Sequence, residues 1–508
     1  MPSTLIILVR KYIFTAISLF VIQGLRGQEF KANSIEVQQR REWQLLSRYD
    51  STVSFAAQPL GSSADTSGLA WKSLLQSSAV SFRALPLNIT QQFNTHHPYG
   101  WNDGAMIAAN GYQALFSAGF YVKAGPLEAQ VQPEWVYAAN SNYETTADYG
   151  SYGAAFYRLY PGQSTIKISA KKMSLGLSTQ NLWWGPGQYS SLLMSNNAPG
   201  FLHGFFKSNQ PVKTPIGNFE WQIIGGKITE NINLAYENAN LKLRRFSGSR
   251  YLNAYVISFN PKWTPGVFVG MTRALQRYKA DIDKSGSSLL QRYIPVLTKA
   301  FQKQNASYDD TMRTDQLASF FLRWVLPKAR TEFYIEYGFN DYNYDVRDYL
   351  MGPTHSAAYL IGAKKIIELD PGTYIDLNFE MTQMSQSPDH IVREAGNWYV
   401  HDQILEGYTN DNQILGAGAG LGCDVQTLSA SWVKGMKRLG IMFERVERDP
   451  QYHAYKWIDF SVGLLPQWQY GKLLLAGKFQ FINSSQYAWQ KDVNRFNLHS
   501  RLMVQYSF

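Results

Sequence analysis

The sequence runs to 508 residues, 45% of them hydrophobic, 17% charged and 15% aromatic, with a single cysteine, Cys423. One cysteine excludes a disulfide framework, a CxxC zinc site and an iron–sulfur cluster, and a mean hydropathy of −0.28 is far from that of a helical membrane protein. A formal charge of +10 spread along the chain argues against a nucleic-acid arm, while 28 Phe, 14 Trp and 32 Tyr call for a surface wet on one side and apolar on the other.

Residues 1–27 read as a secretory signal. Arg10 and Lys11 form its positive start, Tyr12 to Leu25 its apolar stretch, and Gly24 and Gly27 precede a new terminus at Gln28 or Glu29. The apolar stretch is shorter than the ~20 residues of a membrane helix, and Arg26 closes it. Cleavage at Gly27 would lower the formal charge from +10 to +7. Beyond it no apolar run approaches membrane-helix length, so the exported chain is either soluble or crosses a membrane as a β-barrel.

Residues 28–84 carry a helical period. Asn33 followed by Glu36 resembles a capping box, and Ile35, Trp43, Leu46 and Tyr49 fall near one helical face. A second short helix is expected from Thr66 towards Gln76, after the loop-like PLGSSADTSG.

From about Leu85 the period changes to 2. Tyr112, Ala114, Phe116, Ala118, Phe120 and Val122 alternate with Gln113, Leu115, Ser117, Gly119, Tyr121 and Lys123, then turn at Gly125-Pro126 into a second alternating strand ending at Tyr137. Pro133 within that second strand marks a bulge or strand end. Similar pairs flank Pro327-Lys328-Ala329, Asp370-Pro371-Gly372 and Tyr470-Gly471, whereas long polar segments at 186–216, 276–314, 341–356 and 383–414 separate others. Short turns alternating with long loops is the asymmetry of outer-membrane barrels, and about eighteen strands can be counted. The fold class is therefore all-β: a large antiparallel transmembrane barrel over 85–508 after a small α-helical segment at 28–84. The last strand places Phe496, Leu498, Leu502, Val504, Tyr506 and the terminal Phe508 on one face, like the assembly signal of bacterial outer-membrane barrels.

Catalytic signatures are absent. Ser151 lies in a near-miss of a nucleophile elbow, and neither H-E-x-x-H nor Walker A occurs. Gly416–Gly422 lacks phosphate-loop spacing and reads as a small-residue strand crowded by a plug or loop; Cys423 beside it reads as an inert buried thiol. Adjacent His96 and His97 cannot chelate one ion from regular β structure. His401-Asp402 lacks a companion nucleophile, and Asp309, Asp310, Asp341, Asp345 and Asp348 read as solvated loop acids. No catalytic residue, metal or cofactor is expected. Binding is better supported: Trp183, Trp184, Tyr189, Trp398, Tyr399, Tyr408, Tyr342, Tyr344 and Tyr349 fall in expected loops, where rings can stack on sugars or join an interfacial girdle.

The segment WWGPGQYSSL at 183–192, continued by Ser195-Asn196-Asn197-Ala198-Pro199, resembles the Wzi family of capsule-assembly outer-membrane proteins. VQPEW at 131–135, Asn397–Asp402 and Gly416–Gly422 match that order, and HHPYGWNDGAMI at 96–107 looks like the Bacteroidetes-type branch. The resemblance implies a barrel with a periplasmic N-terminal helical segment, loops that largely close the lumen, and a lectin-like role in attaching capsular polysaccharide to the cell surface. Its implied partners are capsular or other surface polysaccharide, outer-membrane lipid and the barrel assembly machinery, with no nucleic acid. Two readings of WWGPG stay open. Pro186 and its flanking glycines can form a turn wedged by tryptophans, favoured because adjacent tryptophans face opposite ways along a strand; or Trp183, Trp184 and Tyr189 form a sugar shelf with Gln188 and Asn196 bonding hydroxyls. With Trp398, Tyr399 and Tyr408 these are the candidate polysaccharide-binding residues. The alternatives are a porin-like channel and an outer-membrane glycan or lipid hydrolase.

Overall fold

The computed structural model describes residues 29–61, 75–76, 80–146, 149–150, 154–230, 248–284, 292–294, 296, 314–340, 356–386, 396–450 and 453–508. The signal segment, most of Thr66–Gln76, Ser151, the five acidic loop residues and Tyr342, Tyr344 and Tyr349 lie outside them. Where the second helix was expected, Leu75–Gln76 forms a short strand pairing with Ser81 and Phe82.

Eighteen antiparallel strands close a barrel. β1 (Val80–Asn94) and β2 (Gly111–Ala124) lead to β3 (Leu127–Val131, continued by Glu134–Ala138), β4 (Phe156–Tyr160, continued by Thr165–Ala170), β5 (Met173–Ser178) and β6 (His203–Ser208, continued by Val212–Thr214). β7 (Gly217–Ile228), β8 (Arg250–Pro261), β9 (Val267–Tyr278), β10 (Thr314–Leu326), β11 (Thr331–Asn340) and β12 (Ala357–Asp370) follow. β13 (Thr373–Gln383), β14 (Asp424–Lys434), β15 (Lys437–Arg448), β16 (Trp457–Tyr470), β17 (Leu473–Ser485) and β18 (Arg495–Tyr506) complete the circuit, and β18 closes on β1 from His499↔Asn94 to Tyr506↔Leu87. Closure leaves no unpaired edge, which a bilayer would not tolerate.

The alternation supplies the two faces. On β2, Tyr112, Phe116 and Phe120 are exposed to the outside while Gln113 and Ser117 are buried inside. On β18, Phe496, Leu502 and Tyr506 face out, as Asn497 and His499 face in. Short connections gather at one end, where Gly125 and Gly471 adopt positive φ (58° and 56°) in turns with open space around them. Outer-membrane barrels direct this end to the periplasm. Pro133 interrupts β3, and across from that break a side chain at Gly119 would meet the Val131 carbonyl at 2.1 Å.

Two expectations about the loops also need correction. Within 186–216, His203–Thr214 is strand β6 and the loop is 179–202; the wall-building alternation is there, with His203 and Lys207 buried inside and Phe206 outside, but polar residues at both ends conceal it. Gly416–Gly422 is a series of turns, not a strand. Crowding is nonetheless its reason for being small: a side chain at Gly416 would meet the Leu192 carbonyl at 2.2 Å, and one at Gly418 would meet Asn197 at 2.2 Å.

Residues 29–61 enter the turn end of the barrel, with helix α1 at Ile35–Leu45. Ser34 is its N-cap, without a side-chain cap bond; Asn33 sits before it at φ 51°, and the Glu36 carboxylate accepts Gln505 Nε2 at 3.0 Å, so the expected capping box does not form. The buried helical positions are mostly polar, Gln39, Arg40, Arg41, Glu42 and Gln44 with Val37 and Leu45, because the inner wall of the barrel is itself polar. Arg41 pairs with Glu332 (2.7 Å), and Glu42 meets Arg438, Lys364 (3.5 Å) and the Tyr374 hydroxyl (2.6 Å). Glu29 lies between Lys167 (2.5 Å) and Lys207 (2.7 Å). Burial raises the pKa of this carboxyl, but the two ammonium groups outweigh it and hold the group at about 2. Such buried charges are tolerated because each has close partners.

Candidate functional site

The loop at 179–202 folds into the lumen, which accounts for the surroundings of the WWGPG motif. Trp184 and Trp183 stand opposite Ala57 and Gln58 in a two-residue antiparallel pairing, and Gly185 N–H donates to the Ala56 carbonyl at 3.0 Å. Both indoles are fully buried; Trp183 Nε1 donates to Gly187 O (3.1 Å) and Trp184 Nε1 to Gln222 Oε1 (3.0 Å). Gly185 has φ 108°, and any side chain there would press on the Glu336 carboxylate at 2.9 Å. Gln188 and Tyr189 donate their backbone N–H groups to Glu380, which also accepts the Tyr334 hydroxyl at 2.8 Å.

The late loop packs against it. Trp398, Tyr399 and Tyr408 are fully buried. Trp398 Nε1 donates to Ser356 O (3.0 Å), Tyr399 OH to Leu192 O (2.7 Å), and Tyr399 stacks on Tyr408 with ring centroids 6.1 Å apart. Burial pushes both phenol pKa values upward. It also pushes the Cys423 thiol up to about 12, where it stays protonated. His401 Nδ1 accepts the N–H groups of Gln403 and Ile404 (3.1 and 3.2 Å), so the His401-Asp402 pair organises a turn. His96 and His97 face each other Nδ1 to Nδ1 at 3.1 Å in bends beyond β1, and burial draws His97 down to about 3. Among the described residues no group of three or more His, Cys, Asp or Glu could hold a metal ion.

Of the eight candidate binding residues, five are thus sealed in the interior: Trp183, Trp184, Trp398, Tyr399 and Tyr408. The other three, Gln188, Tyr189 and Asn196, reach a lumen cavity of about 380 Å³. Its floor is the N-terminal segment around Asn33, Glu36 and Gln38; its wall is formed by β14–β18 and β1–β3, including Ser429, Ser431, Lys478 and Arg501; its roof is Trp101–Gly104 with Tyr189 and Asn196. Hydrogen bonds knit the roof: Asn102 Nδ2 donates to Tyr189 O (2.7 Å), Asn196 Nδ2 to Asn102 O (3.1 Å), and Gly104 N–H to Asn196 O (2.7 Å). Tyr189 OH meets Ser429 Oγ at 2.7 Å.

Amides, hydroxyls, half-buried Trp101 and a few charges suit a hydroxyl-rich ligand, since amides both donate and accept while a ring covers an apolar face. Reading loops alone misses Lys478, Arg501 and the carboxylates Glu332, Glu336 and Glu380. The available signal was a charge at an inward position of an alternating strand.

The family model described as capsule assembly protein Wzi matches residues 88–493. The solved Wzi of Escherichia coli, an outer-membrane protein involved in group 1 capsule assembly and a carbohydrate-binding β-barrel, is similar at TM-score 0.63 and 12% identity, over 95% of this chain and 100% of that one. OccK7 (OpdD) of Pseudomonas aeruginosa is similar at TM-score 0.41 and 12% identity, over 83% of this chain and 98% of that one. No curated protein sequence matches.

Proposed function

We propose, starting from the fact that this chain belongs to the Wzi family of capsule assembly proteins, that it binds capsular or related surface polysaccharide and holds it at the outer membrane without chemically altering it. The observation that carries the reading is the lumen cavity, in which Asn33, Gln188, Asn196 and Gln505 combine with Trp101 and Tyr189. Such a lining supplies stacking faces and two-way hydrogen bonding of the kind sugars use. Export through a cleaved signal at residues 1–27, insertion by the barrel assembly machinery and contact with outer-membrane lipid belong to the same reading. So does assignment of 28–84 to the periplasmic side of a barrel spanning 85–508. The test is paired: cell-associated polysaccharide in a deletion strain, and polysaccharide binding by the purified barrel. Normal surface retention together with absent binding overturns the proposal.

A channel for small solutes is the alternative reading. Against it stands the occupation of the lumen by residues 29–61 and by the loops at 179–202 and 396–423. Steady single-channel conductance of the intact protein would favour the channel.

A further inference from the structure

Two cations face each other on the wall of the cavity. Lys478 on β17 and Arg501 on β18 are direct partners in the antiparallel register, and both line the cavity. Like charges directly opposite destabilise a strand pair. Only part of this is offset: Arg501 Nε lies 3.1 Å from Asp103 Oδ1, whereas Lys478 makes no ion pair among the described residues. The other carboxylates lining the cavity are engaged. Glu134 pairs with Lys31, Glu29 with Lys167 and Lys207, Glu36 accepts Gln505, and Glu444 accepts the Tyr99 hydroxyl and Gln480, both at 2.9 Å.

The roof beside these cations presents a ring. Tyr99 braces Trp101 with centroids 5.2 Å apart, and Lys478 Nζ stands 5.8 Å from the Trp101 centroid. The next residue, Asn102, has a buried side-chain oxygen that accepts no hydrogen bond from the described residues. An ammonium in no ion pair among the described residues, a ring face and a vacant acceptor therefore converge at one end of the cavity.

We propose that this end is a subsite for an acidic sugar unit, its carboxylate held by Lys478 and Arg501, its ring laid against Trp101 and a hydroxyl donating to Asn102. The proposal rests on the polysaccharide-binding reading and narrows it to anionic saccharides. A carboxylate would supply the counter-ion that Lys478 lacks among the described residues, and charge-assisted hydrogen bonds are the strong ones.

The test measures binding of the folded full-length barrel, by calorimetry in detergent, to oligosaccharides containing glucuronate or galacturonate, to neutral oligosaccharides of equal length, and to inorganic phosphate. The acidic sugars are expected to bind about tenfold or more tightly than neutral ones, the scale of a hydrogen bond to a charged group. Lys478→Gln should erase that preference and Lys478→Arg should keep it, while Trp101→Ala weakens both sugar classes; heat-modifiable gel mobility confirms that each variant folds. Equal affinity for acidic and neutral sugars overturns the acidic subsite and leaves polysaccharide binding standing. Phosphate competing as well as the uronates overturns it as well. If no saccharide binds, the wider reading fails and the subsite with it.

Discussion

Glu380 on β13 accepts the backbone N–H of Tyr189 at 3.1 Å, having also taken that of Gln188 at 2.6 Å. The barrel wall thus holds the inward loop by a carboxylate bonded to main chain, and the loop can keep small and polar residues at its tip. Glu380→Ala leaves two backbone donors and the Tyr334 hydroxyl without their acceptor, a loss of about 3 kcal/mol or more. The expected outcome is a folded barrel whose 183–202 segment becomes protease-sensitive, with Glu380→Gln intermediate. Unchanged proteolysis of the alanine variant would count against this anchoring.

Glu42 is the hub between α1 and the wall, facing Arg438, Lys364 and Tyr374. Glu42→Ala leaves Lys364 and Arg438 sharing the single carboxylate of Asp376 (3.0 and 2.9 Å) and the Tyr374 hydroxyl without its acceptor, and should cost about 1–3 kcal/mol. The helix should then leave the turn end, readable as new conductance in planar bilayers and faster hydrogen exchange across 35–45. Removing Lys364 in the same chain should recover part of the loss; a double variant no better than the single one would refute the coupling.

Acid should loosen the N-terminal segment in a defined window. The Glu29 carboxyl sits at about 2 in the fold against an ordinary 4.5, so its contribution is complete above pH 4.5 and is lost as pH falls towards 2. The size is on the order of 3 kcal/mol. Hydrogen exchange at residues 29–34 should accelerate across that window. In Glu29→Gln the segment should be weaker at neutral pH and flat through the same range.

His97 gives a separate window at the loop end. Its folded value of about 3 lies below the ordinary 6.5, so stability complete above pH 6.5 declines as pH falls towards 3, when the buried imidazole must become charged. Quenching of Trp457, whose ring lies 6.2 Å from His97, should follow this decline. His97→Phe should flatten it.

Trp183→Ala and Trp184→Ala should act through folding. Each indole is fully buried, and such truncations cost about 3–5 kcal/mol. The gel-shift midpoint on heating should fall for both, whereas Trp101→Ala, half-buried at the cavity, should leave it near the parent value. Equal thermal loss at Trp101 would assign that ring to packing instead.

The barrel was legible because a bilayer imposes period 2 on every crossing: Phe116 and Gln113 must lie on opposite faces whatever surrounds them. Strand β6 was harder, since a short wall segment with His203 and Lys207 inside carries the composition of a loop. The direction of the WWGPG loop was illegible for a different reason. Indoles that stack on sugar and indoles that donate to Gly187 and Gln222 use the same residue type, and only partners remote in sequence decide between them. Lys478 and Arg501, separated by 23 positions, become a pair only through the register of two strands.

Residues 29–61 touch the wall at positions drawn from almost the whole sequence: Glu134, Lys167, Lys207, Glu220, Arg323, Glu332, Lys364, Arg438 and Gln505. A segment whose counter-ions are scattered in this way cannot complete its bonding while the chain is still being delivered. Its last partner, Gln505, belongs to the strand that seals the wall against β1. The packing of the lumen is therefore complete only when the wall is sealed, and a barrel lacking β18 would be open at its side and would leave Glu36 without its partner.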